Sequence, residues 1–218
     1  MLALLLIGAY LLGSIPTGYW IGKAKGIDIT KMGSGSTGAT NVWRCVGKVE
    51  GLMVLVIDLL KGYLPVLYAI HLDQGDQAAQ WTFGMAHLVP VAVATIAIVG
   101  HSRSIFLGFK GGKSAATGLG TMLAFNPAVG GLTFATWMVI VLCTKIVSLA
   151  SISAAVLNVV FMWALHNPPA YVLYALIGCI YVVVRHKSNI QRLMAGTEAK
   201  LGDKPKENSA INSDEKTT

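Results

Sequence analysis

Seven apolar runs divide this chain, over residues 1–22, 52–71, 81–100, 115–126, 129–147, 149–165 and 169–184. A helix that crosses a bilayer needs about 20 apolar residues, with a range of roughly 17–25, and most of these runs reach it. No water is available inside lipid to satisfy backbone N–H and C=O groups, so such runs must close their hydrogen bonds internally, as helices do. Composition points the same way: 54% of residues are hydrophobic and 12% charged, where an average soluble domain has roughly 25% charged. The expected fold is an all-α polytopic membrane protein.

Charge in the connections writes the topology. Lys23, Lys25, Lys31, Arg44 and Lys48 follow the first run; Arg103, Lys110 and Lys113 follow the third; Lys145 follows the fifth; Arg185, Lys187 and Arg192 follow the last. The intervening connections at 72–80, 126–129 and 166–169 carry no Lys or Arg. Because Lys and Arg accumulate on the cytoplasmic side, this alternation predicts an N-terminus outside, a C-terminus inside and about seven transmembrane helices. The run at 115–126 is short for a crossing, so it is either a thin or tilted helix shielded by protein, or the count falls to five. The first run has no preceding positive charge and no small-x-small cleavage site after it, so it is expected to stay in the membrane.

Residues 1–198 are expected to form a single transmembrane domain. The segment 199–218 is polar, mixed in charge and poor in large apolar residues, which predicts a disordered cytoplasmic tail. The net charge of +7 is confined to short connections, so no nucleic-acid partner is implied. Cys45, Cys143 and Cys179 have no metal-ligand spacing, and no metal or disulfide framework is expected.

Three connections are richer than topology requires. In the first, Gly33, Gly35 and Gly38 stand among small hydroxyl residues, with Ser34 inside the run and Asn41 and Arg44 after it. Such a backbone can turn its N–H groups toward an anion, and the planar guanidinium of Arg44 suits phosphate or carboxylate. The second holds His101, then Lys110-Gly111-Gly112-Lys113-Ser114 before an apolar helix. A nucleotide P-loop would need glycine where Leu107 stands, and no strand precedes it. Glycine amides, a helix N-terminus and two lysines nevertheless suit phosphate. The third runs Arg185-His186-Lys187-Ser188-Asn189; His186 and Asn189, three apart, share a face if the segment is helical. Asp58 and Lys61 lie inside the second run, also three apart, and read either as a mutually neutralising pair or as a substrate contact.

The chemistry these residues can do is bounded by what they lack. Two of the ten carboxylates lie in an external loop and four in the tail, which leaves Asp28, Glu50, Asp58 and Glu198, too few for a paired-carboxylate or two-metal site. No Gly-x-Ser-x-Gly elbow occurs. What remains is an anion site with His, Asn and hydroxyl groups. It suits an activated donor whose leaving group is phosphate, where proximity and charge stabilisation supply the rate.

The three segments resemble the bacterial acyl-phosphate:glycerol-3-phosphate acyltransferases, the PlsY family, across 33–44, 100–117 and 185–193. Asp58-Leu59-Leu60-Lys61-Gly62 and Val147-Ser148-Leu149-Ala150-Ser151 are similar to the family as well. Two positions depart: Ser36 replaces the usual Asn, and Ser114 the usual Gly. The resemblance implies a seven-span enzyme of the bacterial cell (inner) membrane, with its active site facing the cytoplasm. Such an enzyme transfers a fatty acyl group from a long-chain acyl phosphate to the sn-1 hydroxyl of glycerol 3-phosphate. The products are lysophosphatidic acid and phosphate, in the first committed step of phospholipid synthesis. Membrane lipids are its surroundings, and no coenzyme A, acyl carrier protein, other cofactor or metal is implied. His186, Asn189 and His101 become the candidate catalytic residues. Ser34, Asn41, Arg44, Lys110, Gly111, Gly112, Lys113 and Ser151 become the candidate substrate-binding residues. Whether His186 or the donor's own phosphate accepts the hydroxyl proton is left open. The reading from another class is a transporter of organic phosphates; against it, the halves show no repeat and the polar motifs all fall on one side.

Overall fold

The computed structural model describes residues 2–73 and 87–203, and the regular elements among them are helices. The first apolar run forms α1 (Leu2–Ser14) and α2 (Thr17–Ala24), broken at Pro16, which has no N–H to continue the ladder. A short α3 (Ala39–Cys45) precedes α4 (Lys48–Asp73). Then follow α5 (Leu88–Ser102), a 3-10 turn at Ile105–Leu107, α6 (Ala115–Phe125), α7 (Pro127–Thr144), α8 (Val147–Ala164), α9 (Pro169–Arg185) and α10 (Lys187–Met194). Each of the seven apolar runs thus carries a helical segment; of the run at 81–100, residues 81–86 lie outside the described residues. Four segments are long and apolar enough to cross a bilayer by length and composition, and α9 with α10, bent by 61°, counts as a fifth if the pair is taken as one span. The helices Leu88–Ser102 and Ala115–Phe125 are shorter.

Burial is inverted relative to a soluble bundle. On α4, Leu52, Val56, Leu60, Leu64 and Leu67 recur every three or four residues and are all exposed, while Gly51, Asp58, Lys61, Gly62 and Pro65 are buried. In water such a stripe would be unfavourable by about 25 cal/mol per Å² of apolar surface; against acyl chains it carries no such penalty. Beside small apolar residues such as Val66, Val93 and Ala94, the interior holds Thr117, Thr121, Asn158, His186 and Asn189, so polar groups also lie within the bundle.

Backbones approach closely where glycine permits it. A side chain at Gly62 would meet the Thr117 carbonyl, and one at Gly120 the Leu59 carbonyl, which locks α4 against α6. Gly13 on Ala97 and Gly100 on Tyr10 do the same between α1 and α5. Small residues at the crossing are how helices associate in lipid, where burial of apolar area offers no driving force. The layout α1 on α5, α4 on α5 and α6, α6 on α7, α7 on α8 and α8 on α9 leaves a shaft between α4, α6, α7, α8 and α9.

The polar segment expected to begin at Ala199 starts with hydrogen-bonded residues. Ala199 accepts from Arg44, and the Leu201 N–H donates to the Lys145 carbonyl at 2.6 Å. The remainder of the expected tail, 204–218, lies outside the described residues.

Candidate active site

The shaft is a cavity of about 790 Å³, with Ser34, Asn41, Arg44, Lys113, His186, Asn189 and Arg192 around one end. From there it runs between Leu119, Met122, Phe134 and Ala175 to Thr133, Asn158 and Tyr174. At 1.5 Å of rise per residue, Ser148 to Asn158 along α8 spans about 15 Å and His186 to Tyr174 along α9 about 18 Å. The three polar connections, more than 50 residues apart in sequence, meet at one end of one shaft.

The first connection is a loop tied from within. Gly33 and Gly35 have φ of 58° and 66°, in the left-handed region where glycine carries no Cβ penalty. The buried Asn41 amide donates to the carbonyls of Ile29 (3.3 Å), Met32 (3.0 Å) and Ser36 (2.9 Å), while its oxygen accepts from the Ser34 N–H at 3.0 Å. Asn41, expected to contact substrate, is thereby committed to shaping the loop. Ser34 stays exposed at the mouth. Arg44, on α3, donates through Nη2 to the Ala199 carbonyl at 2.8 Å, and its Nε is buried without a hydrogen-bond partner.

In the second connection Ser104 and Lys110 form an antiparallel bridge that folds 104–110 back on itself through Gly108 and Phe109, both at positive φ. Lys110 is left exposed and does not line the cavity, contrary to the expected pair of lysines. The glycines serve close approach more than anion capture. The Gly112 N–H donates to the His101 carbonyl at 3.2 Å, and a side chain at Gly112 would run into the His101 imidazole. The carbonyls of Gly111 and Gly112 accept from Arg185 at 3.3 and 2.8 Å. Of the two lysines in this connection Lys113 lines the cavity, its Nζ donating to Asn189 Oδ1. Burial, together with repulsion from Arg192, Arg185 and Arg44, brings the Lys113 ammonium down to about 8, against the pull of Glu198.

His186 is the joint between α9 and α10, which places it with Asn189 on the cavity wall, as the three-residue spacing predicts. Its Nδ1 lies 2.7 Å from the Val182 carbonyl. A carbonyl only accepts, so Nδ1 carries the proton and Nε2 keeps its lone pair. Asn189 donates to Glu198 Oε1 at 2.6 Å, Ser148 donates to the same oxygen at 2.7 Å, and Arg192 Nε donates to Oε2 at 2.7 Å. Burial alone would push the Glu198 carboxyl up; these three donors outweigh it and hold it below its ordinary value. Ser148 and Glu198 are not among the expected site residues. The only sequence signals were Ser148 beside Ser151 and the rarity of carboxylates, and nothing in the chain announces a contact across 50 positions.

Asp58 and Lys61 form a buried ion pair at 2.9 Å, and Lys61 also donates to the Ile15 carbonyl at 2.9 Å, exposed by the break at Pro16. Lys61 is therefore used within the bundle. His101 is buried on the wall between Asp58, 3.8 Å from its Nδ1, and Gly112. Ser151 lies one helical turn below Ser148 and accepts from Trp137 Nε1 at 3.2 Å.

These features define an integral membrane protein whose internal shaft joins a basic, hydrogen-bonding head to an apolar body. A sequence profile described as glycerol-3-phosphate acyltransferase matches residues 3–196. A glycerol-3-phosphate acyltransferase of Synechococcus sp. (strain JA-3-3Ab) is 48% identical over 91% of this chain and 92% of its own. One of Rippkaea orientalis is 50% identical over 92% and 93%. Among solved structures, the crystal structure of PlsY (YgiH), an integral membrane glycerol 3-phosphate acyltransferase, superposes in its glycerol 3-phosphate form with a TM-score of 0.82. It is 38% identical, over 92% of this chain and 96% of that one. The lysophosphatidic acid form gives 0.78 at the same identity, over 91% and 94%. The chain belongs to the glycerol-3-phosphate acyltransferase family and is a membrane-embedded acyltransferase.

Proposed function

We propose that this acyltransferase takes its acyl group from a long-chain acyl phosphate and delivers it to the sn-1 hydroxyl of glycerol 3-phosphate at the cytoplasmic face of the bacterial inner membrane. The observation that carries this reading is the continuity of the basic head with an apolar shaft about 15–18 Å deep. One phosphate-bearing polar molecule and one phosphate-bearing acyl chain can then meet at the junction. The solved relative with glycerol 3-phosphate and with lysophosphatidic acid supports the same pair of acceptor and product. The basic head gathers connections rich in Lys and Arg, which supports a cytoplasmic site, an external N-terminus and seven helical passes, with α5 and α6 as short ones. The catalytic unit extends through Asp203, because Ala199 and Leu201 are hydrogen-bonded into it.

In this reading Arg44 and Lys113 hold the phosphate of glycerol 3-phosphate, with Ser34 at the rim. Asn41 shapes the loop beneath them, and His101 positions Gly111, Gly112 and hence Lys113. Ser151 accepts from Trp137, which leaves its own O–H to donate to the acyl carbonyl oxygen. His186 Nε2 accepts a hydrogen bond from the sn-1 hydroxyl and aims its oxygen. That oxygen attacks the acyl carbon, the bond between carbon and phosphate oxygen breaks, and the hydroxyl proton ends on the departing phosphate. Glu198 is saturated by three donors and Asp58 is paired, so neither carboxylate serves as the base. Placing two bound reactants in contact is worth up to about 7–11 kcal/mol, and donors aimed at the developing charge add to it.

Purified protein given palmitoyl phosphate will release phosphate only when glycerol 3-phosphate is present, with lysophosphatidic acid formed in equal amount. Arg44→Ala will abolish this. No release from folded, lipid-supplied protein would overturn the reading. His186→Asn will lower kcat by about 10²-fold, the low end for a positioned acid-base group, and turnover near that of wild type would exclude the histidine as the base.

A further inference from the structure

A second cavity, of about 600 Å³, opens on the outer side of the bundle between α5 and the α9–α10 joint. Val99 and Val184 line its lower part, and Arg103, Arg185, Lys187 and Ser188 its upper part. The order repeats on both walls: Val99 is one turn before Arg103 on α5, and Tyr181 one turn before Arg185 on α9. Val184 is 64% exposed, so the lower part faces acyl chains while the upper part sits where those helices leave the apolar layer. No carboxylate lines it, whereas Asp58, Glu198 and Asp203 line the active-site cavity.

We infer that this groove binds the phosphate of an anionic membrane phospholipid, with the lipid's acyl chain lying along Val99 and Val184. The Arg185 guanidinium, two further cations and a hydroxyl match a phosphodiester, and the apolar lower wall matches what is attached to it. The groove also communicates with catalysis. Arg185 donates through Nη2 to the carbonyls of Gly111 and Gly112, immediately before Lys113. A phosphate held by the same guanidinium fixes it in that pose and steadies the loop that presents Lys113. Bound lipid therefore favours the acceptor-binding form of the loop, and the coupling is reciprocal.

The test uses the full chain in nanodiscs of phosphatidylcholine alone, or of equal parts phosphatidylcholine and phosphatidylglycerol. The variant is Arg103→Gln with Lys187→Gln, neither of which touches the active-site cavity. Native mass spectrometry reads retained lipid without reference to activity: wild type will hold phosphatidylglycerol over phosphatidylcholine, and the double variant will not. In kinetics, phosphatidylglycerol will lower the wild-type KM for glycerol 3-phosphate by about fivefold, the low end of usual coupling. The variant will keep the phosphatidylcholine value in both discs. Equal retention or an equal KM response in the variant overturns the site, and selective retention with no change in KM overturns the coupling. Inorganic phosphate producing the same fall in phosphatidylcholine discs would assign the groove to a free anion and overturn the lipid. Failure of all turnover would count against the acyltransfer reading and leave the retention measurement standing.

Discussion

Lys113 is the residue on which charge in the site turns. With its ammonium brought down to about 8 by burial and neighbouring cations, it is charged below that pH and neutral above it. A phosphate dianion favours the charged form, so acceptor binding raises the value and is itself weakened once the free enzyme has lost the proton. The expected outcome is a kcat/KM for glycerol 3-phosphate that is flat from about pH 7 to 8, where the phosphate is already the dianion, and falls above about pH 8, toward tenfold per unit. Lys113→Arg, which stays charged throughout, will remove that limb; a wild-type profile flat to pH 9.5 would deny Lys113 the role. Ser114, beside it, explains one departure from the family pattern. Its φ of 62° lies where glycine is at ease and other residues lose roughly 1–2 kcal/mol. The Ser114 hydroxyl donates to the Ile98 carbonyl at 3.2 Å, returning about 1 kcal/mol. Ser114→Gly will leave the thermal midpoint within a few degrees of wild type, while Ser114→Val, with a β-branch and no donor, will lower it clearly. For Ser36, the other departure, the structure offers only a hydroxyl accepting from the Gly38 N–H at 3.3 Å.

Among elements, the crossing of α1, α4 and α5 is held by a buried charge. The Asp58–Lys61 pair is bound to a carbonyl freed by the break at Pro16, so a proline in the first helix and a lysine in the second span are one feature. Removing a single partner of a buried pair leaves an uncompensated charge and costs about 3–5 kcal/mol, whereas replacing both by apolar groups of similar size is often neutral. Lys61→Met will therefore reduce folded yield and thermal stability sharply. Asp58→Leu with Lys61→Met will recover most of both, as read by thermal unfolding in detergent. If the single and double variants unfold alike, the pair is not what holds this crossing. His101 lies 3.8 Å from Asp58, so activity in the double variant reports separately on whether that contact positions Gly112.

The whole molecule shows how much of this was open to reading from the chain. The apolar runs became helices because lipid leaves backbone groups no other partner, and the three polar motifs converge at one end of the cavity. Arg44, Lys113, His186 and Asn189 were thus legible as residue types in the right connections. Lys110 was not, since only the bridge from Ser104 to Lys110 decides which of two neighbouring lysines enters the cavity. Asn41 looked like a substrate contact because an amide's partners cannot be counted from sequence; here they are three loop carbonyls, the Ser34 N–H and the Cys45 thiol. Glu198 and Ser148 were invisible as partners because their contact depends on how α8 packs beside α10. By itself, then, the sequence determined the membrane class, the helical elements and the family, because these follow from local composition and spacing. Tertiary structure alone decided which polar groups are consumed in holding loops and which are left free to meet a substrate, because hydrogen-bond partners are set by distances between segments that the chain's order does not encode.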